Sequence, residues 1–454
     1  MQGLLLTPDP PAAPGTASSP AAPRREGLLS RTWVWFLLMP MFFQLYHYKN
    51  ETGPLYYLSK LWPVLLAPLV LLGVTTLRLP DGALYLAAVA YSLVVPVLLS
   101  MIYLPNGLVD ALLSSIKAWP LTFYFSFAAL LWLLRPSEAA VKRGALLAGA
   151  ATYAIMLLLW VTVPAERYQP GLTMFSWDEG RGSYIRMPMM LGVLTMFWLG
   201  RRFVREWRIW QLLLAIACVV AMGSIYRARL PTGVSILVLL MILATPLPRN
   251  WRWGLGALAA LPAVAGTVVI APDLPAILGK IFDASLFIRL RSSTIAWDWL
   301  ISDPVKLILG SGSTSSFSDL TMADFFGNAD FWLTDIGWLG VIMEYGLIGT
   351  AMIIALHLRA LTAARALRHR SAFRAALGDY VLFEILCSVV YSVMYAPGPV
   401  VTVAAIAWWL RLRDEAGMAE SQPGWPGQVD ASRAETPAWA SGRIPAARAA
   451  VGAP

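Results

Sequence analysis

Between residues 30 and 411 the chain is a succession of long apolar runs separated by short polar joints. A helix needs roughly 20 apolar residues to cross a bilayer, because every backbone N–H and C=O must be satisfied inside the segment. The runs predict spans over 30–46, 55–77, 83–104, 119–135, 144–163, 184–200, 209–226, 233–247, 251–270, 336–357, 375–395 and 397–411. Twelve spans put both ends of the chain on one side. The pattern is interrupted once at length, over 271–334. Counted through Asp335, this break carries Asp273, Asp283, Asp298, Asp303, Asp319, Asp324, Asp330 and Asp335, together with Arg289, Arg291 and a run SGSTSSFSD. The expected organisation is a disordered 1–30, helices over 31–270, a large polar loop with short helices over 271–334, helices over 335–411 and a disordered tail over 412–454. The fold class is an all-α polytopic membrane protein.

Composition strengthens this reading. Of 454 residues 58% are hydrophobic and 13% charged, and mean hydropathy is +0.63. A soluble domain carries about 25% charged residues. Cys218 and Cys387 lie in apolar runs and form no framework for a disulfide or a metal. The net charge of +9 does not point to nucleic acid. Its distribution is that of the positive-inside rule: 23 of the 35 lysines and arginines, including those of RRFVREWR and RALTAARALRHR, fall on the side that holds both termini. That side is expected to be cytoplasmic. The 271–334 loop is then external, which in a bacterium is periplasmic.

Several arginines oppose this bias. Arg181 and Arg186 lie in WDEGRGSYIRMP, Arg227 and Arg229 in SIYRARLPTG, Arg289 and Arg291 in FIRLRSSTIAW, and Arg167 stands apart. Arginine in a bilayer costs about 2.5–3.5 kcal/mol even on lenient scales. A planar fork of donors suits phosphate, so pairs from three segments could meet on one pyrophosphate. Headgroup contact, or pairing with Asp178, Glu179 and Asp283, is the structural alternative for any one of them. Asp335 stands at the mouth of the tenth span, and Glu344 lies nine residues on, inside it. An intramembrane carboxylate is either functional or a helix-pairing group. Gly310-Ser311-Gly312 lacks the lysine of a phosphate loop and reads as a turn. His47, His357 and His369 form no cluster.

These segments together resemble the O-antigen ligase and polymerase superfamily of bacterial polysaccharide assembly. Arg289 or Arg291 followed by Trp297, Pro304 and Gly310-Ser-Gly312 is similar to that family's "R…W…P…G-x-G" loop. DIGWLGVIMEYGLIG (335–349) resembles its "HN-x-x-L…E-x-G-x-x-G" signature, and SIYRARLPTG its "S-x-x-R" turn. The resemblance covers roughly 180–350. Asp335 stands where ligases usually carry histidine, which favours a polymerase; nothing in the sequence points to a lipid A acceptor, which favours an exopolysaccharide polymerase over an O-antigen one. The resemblance implies a glycosyltransferase of the inner membrane without cofactor or metal. Donor and acceptor would be undecaprenyl-pyrophosphate-linked oligosaccharides, with membrane lipid around them. A flippase and a chain-length-regulating co-polymerase would be partners, and nucleic acid would not. The resemblance and the chemistry of the residues together point to Arg227, Arg229, Arg289 and Arg291, with Arg186, on the pyrophosphate, and to Asp335 as the base, with Glu344 or Asp330 as substitutes. A ligase using another acceptor, or a flippase or transporter of a lipid-linked saccharide, is the alternative.

Overall fold

The computed structural model describes residues 31–47, 52–171, 174–178, 181–248, 284–314 and 320–421, and these are predominantly helical. Five helical segments are long and apolar enough to cross a membrane: Pro54–Thr76, Gly82–Tyr103, Glu138–Thr162, Ile209–Tyr226 and Gly337–Ala366. A sixth arises if Leu108–Lys117 and Trp119–Leu134, bent by 54° where they join, are one span. The helices are α1 (Thr32–Phe42), α2 (Pro54–Leu65), α3 (Ala67–Thr76), α4 (Gly82–Tyr103), α5 (Leu108–Ser114), α6 (Phe123–Leu134), α7 (Glu138–Thr162), α8 (Met190–Glu206), α9 (Ile209–Ala221) and α10 (Arg229–Leu243). After them come α11 (Ala284–Ile301), α12 (Pro304–Leu309), α13 (Met322–Phe325), α14 (Gly337–Ala366), α15 (Ala372–Cys387) and α16 (Gly398–Ser421).

The twelve-span layout is met in part. Helices occupy the predicted first and eighth spans, but α1 has 11 residues and α10 has 15. Both fall short of a crossing length. The predicted span over 251–270 lies outside the described residues. The predicted span over 184–200 is corrected at its start. Phe175–Asp178 (β1) and Gly182–Ile185 (β2) form an antiparallel hairpin in register Phe175↔Ile185, and the helix begins only at Met190. Tyr184 and Ile185 are apolar enough to read as helix, but they pair with a strand upstream instead. Within the 271–334 break the described residues include a helix longer than the short ones expected, because α11 has 18 residues.

Local signals set the helix ends. Ser137 caps α7 by accepting from the Ala140 N–H, and Glu138 follows in the first turn, where the helix dipole favours negative charge. Glycines let helices approach closely: a Cβ at Gly144 would lie 2.5 Å from the Cβ of Trp35 on α1, and one at Gly149 would strike Thr195 on α8. The core runs through the bundle as large aromatics, with Trp35, Phe42, Phe43, Phe127 and Tyr380 fully buried and Tyr85 stacked on Tyr124 at 3.7 Å.

Helix α14 is broken inside its length. Gly346 adopts φ 62° and ψ −175°, a conformation open to glycine alone. Such a break frees main-chain carbonyls, which must find other donors within a membrane. Residues after α12 supply them. The Ser311 N–H and hydroxyl donate to the Met343 carbonyl at 2.8 and 3.0 Å, and the Gly312 N–H to the Glu344 carbonyl at 3.3 Å. Tyr91 of α4 donates to the carbonyls of Tyr345 and Leu309. Gly310-Ser-Gly312 is therefore a splice between helices: a Cβ at Gly310 would lie 2.5 Å from the Glu344 carbonyl oxygen.

Candidate functional site

Four separate segments meet beside the start of α14. Asp335 ends a single turn, Leu333–Asp335. The Thr334 carbonyl accepts from the Ser392 N–H at 2.8 Å, which holds the turn after α15, with Tyr391 and Tyr395, next to it. Arg289 reaches in from α11. Its Nη2 lies 3.8 Å from the Asp335 carboxylate and its guanidinium sits 5.5 Å over the Tyr391 ring. Its Nε is buried with no hydrogen-bond partner among the described residues. Arg186 arrives from the end of the β1–β2 hairpin, which it extends by donating its own N–H to the Met174 carbonyl. Its side chain donates to the Tyr184 hydroxyl at 3.0 Å. Arg181, whose guanidinium lies 5.6 Å from the Tyr184 ring, pairs with Asp178 at 3.3 Å.

The electrostatics tie these groups together. Burial pushes the Asp335 carboxyl above the usual carboxylate range, and Arg289, Arg186 and Arg181 pull it back. Tyr395 is pushed up to about 12, first by burial, with Arg186 acting against it and Asp335 with it. Among the described residues, three guanidiniums thus face two carboxylates, Asp178 and Asp335, leaving one positive charge in excess. The Arg289–Asp335 contact is longer than a charge-assisted hydrogen bond. A dianionic group entering between the arginines would find donors not already committed.

The sequence-predicted residues divide. Arg186, Arg289 and Asp335 come together. Arg227 sits behind them in a left-handed conformation at the end of a π-turn, Met222–Tyr226. Its Nε donates to the Ser224 carbonyl and its Nη1 to the Arg181 carbonyl, so it braces the hairpin that carries Arg181. Arg229 opens α10 at the same turn and is exposed. Arg291 does not join Arg289. Two residues along a helix is about 200° of rotation, and Arg291 lies on the exposed face of α11. Glu344 is buried and forms an ion pair with Lys117, from the bend between α5 and α6. That pair is part of the packing that surrounds the α14 break.

Reasoning from sequence passed over Lys117, Tyr391, Tyr395 and the Thr334–Ser392 link. Lys117 carries a signal that could have been used, as a lone cation among apolar runs needs a buried acid, and Glu344 is such an acid. Tyrosines near span ends carry no such signal, since most belong to interfacial belts. No protein-family model matches the chain, and no curated protein matches it at a significant level.

Proposed function

We propose that the chain is a membrane glycosyltransferase that polymerises oligosaccharide units carried on a lipid pyrophosphate. The observation that carries this reading is the Arg181–Arg186–Arg289 group around Asp335, with the Arg289 Nε unsatisfied. The order of motifs over 180–350, similar to the O-antigen ligase and polymerase superfamily and including Arg289 and Asp335 themselves, is consistent with it. In the reaction an acceptor sugar hydroxyl attacks the anomeric carbon of the donor. The new glycosidic C–O bond forms as the bond from that carbon to the pyrophosphate oxygen breaks, and the bonding pair leaves with the lipid pyrophosphate. Fixed guanidiniums favour that developing charge over the ground state. The hydroxyl proton passes to Asp335, whose raised pKa makes it a better acceptor than an ordinary carboxylate. Arg227 holds the hairpin in place for Arg181.

The deciding experiment is to delete the gene and size the lipid-linked sugars that accumulate. Single repeat units outside the inner membrane are expected. Long lipid-linked chains would make the protein a ligase, and repeat units retained inside would make it a flippase. Restoring the gene with Arg289→Ala or Arg186→Ala should leave the protein in the membrane without polymer. Full-length polymer from both would remove the arginine group from the mechanism.

A further inference from the structure

The sequence predicts an aqueous loop after residue 283, yet four of the seven outward positions on α11 are large apolar side chains. On α11 the exposed positions are Phe287, Leu290, Arg291, Thr294, Trp297, Asp298 and Ile301, alternate steps of three and four that trace one face. The opposite face buries Ser292, Ala296 and Leu300. Phe287, Leu290 and Ile301 are each more than half exposed. On α12, Val305 and Ile308 continue the apolar surface.

The contacts of α12 show how deep it lies. Asp303, just before it, accepts from Tyr103 at the end of α4 at 2.7 Å. Leu309, at its far end, accepts from Tyr91, which is 12 residues, or about 18 Å of helix rise, back along α4. The chain then returns, with Ser313 accepting from Ser100 at 2.9 Å. Gly310 meets Gly346, nine residues or about 14 Å into α14. The stretch therefore descends to the middle of α4 and comes back up. The polar groups on this path are matched: Asp303 by Tyr103 and the Val305 N–H, Ser311 and Gly312 by the α14 carbonyls, and Lys306 by Ser302 with its ammonium 3.3 Å over the Trp299 ring. Internal satisfaction of this kind is what non-helical backbone needs at membrane depth.

We propose that α11 and α12 form a membrane-embedded hairpin: residues 304–313 re-enter the bilayer between α4 and α14, and the Phe287–Ile301 face of α11 contacts lipid. The occupant of that face is lipid because it is continuous with surface that faces the bilayer. Along the length that α12 follows, α4 turns Val94, Leu98 and Ile102 outward. Arg291 then sits on a lipid-contact face, where a long cationic side chain reaches headgroup phosphate. The inference does not rest on the glycosyltransferase reading.

The test uses the full chain in proteoliposomes. With Cys218→Ala and Cys387→Ala as background, single cysteines at Thr294, Ile301 and Ile308 are spin-labelled, and relaxation by oxygen is compared with that by a water-soluble nickel chelate. Oxygen should dominate at all three positions, most strongly at Ile308. Dominance of the nickel chelate would return the segment to water. Exclusion of both reagents would mean that protein covers the face, whether this chain's residues 249–283 or a second copy, and would also overturn the proposal. A second measurement avoids labelling: Trp297→Phe should reduce the fraction of tryptophan emission quenched by brominated lipids, and an unchanged fraction would count against lipid contact.

Discussion

The two ends of the bundle handle arginine in opposite ways. At the end where α8 finishes and α15 begins, two guanidiniums are paired at close range. Arg201 makes two bonds of 2.6 and 2.7 Å to Asp379, and Arg374 bridges Glu138 at 2.7 Å and Asp414 at 2.6 Å. At the end where α14 starts, Arg289 meets Asp335 only at 3.8 Å, and Arg186 is satisfied by a tyrosine hydroxyl. The first arrangement ties helices together through short charge-assisted bonds. The second gathers more positive charge than its described carboxylates neutralise, and it leaves one buried donor, the Arg289 Nε, unfilled.

Substitutions should separate the two ends. The largest effect is expected from Arg374→Ala, which leaves Glu138 and Asp414 facing each other with their buried partner gone. A loss of about 3–5 kcal/mol is expected for a broken buried pair, read as a fall in melting temperature and in the amount of protein recovered from membranes. Arg289→Ala should do the reverse. Polymer formation should drop about 10²–10³-fold, as when one preorganised donor to a developing anion is removed, while melting stays at or above the wild-type value. Equal loss of stability in both variants would erase the contrast.

Asp335 gives a prediction in pH. Its folded pKa is raised, so the fold favours the protonated form, and the associated stability is lost as pH rises through that pKa. Activity needs the ionised form and should rise over the same window, on an acid limb above the ordinary carboxylate range. Asp335→Asn should flatten that limb, lower the rate and remove the matching fall in stability. A wild-type pH profile would exclude Asp335 as base. The smallest effect is expected from Arg291→Ala, on the outer face of α11, with polymer formation within about twofold of wild type, as for a surface position away from the site. A loss equal to that of Arg289→Ala would place both arginines on one ligand.

Much of the fold was legible along the chain. Runs over 83–104 and 209–226 correspond to Gly82–Tyr103 and Ile209–Tyr226, since an uninterrupted apolar stretch has few ways to satisfy its backbone other than as a helix. The β1–β2 hairpin was not legible, because its apolar residues also fit the start of a span. In an irregular loop Arg289 and Arg291 are equivalent, whereas the helical geometry of α11 turns them apart. The site was legible only in outline: arginines on the side that should lack them marked the region, but not which of them meet.

What the sequence by itself determined is the set of properties that depend on near neighbours: apolar length, helix class, cap residues and the anomalous placement of arginine. What only the tertiary structure decided are relations across about 30 to 230 residues: Arg289 with Asp335, Lys117 with Glu344, and the 310–313 segment with the break at Gly346. The reason is physical. Helix formation is a local balance of backbone hydrogen bonding and burial. Charge pairing and the filling of freed carbonyls depend on which helices pack together, and that is set by small faces, such as those at Gly144 and Gly149, whose partners lie far away in the chain.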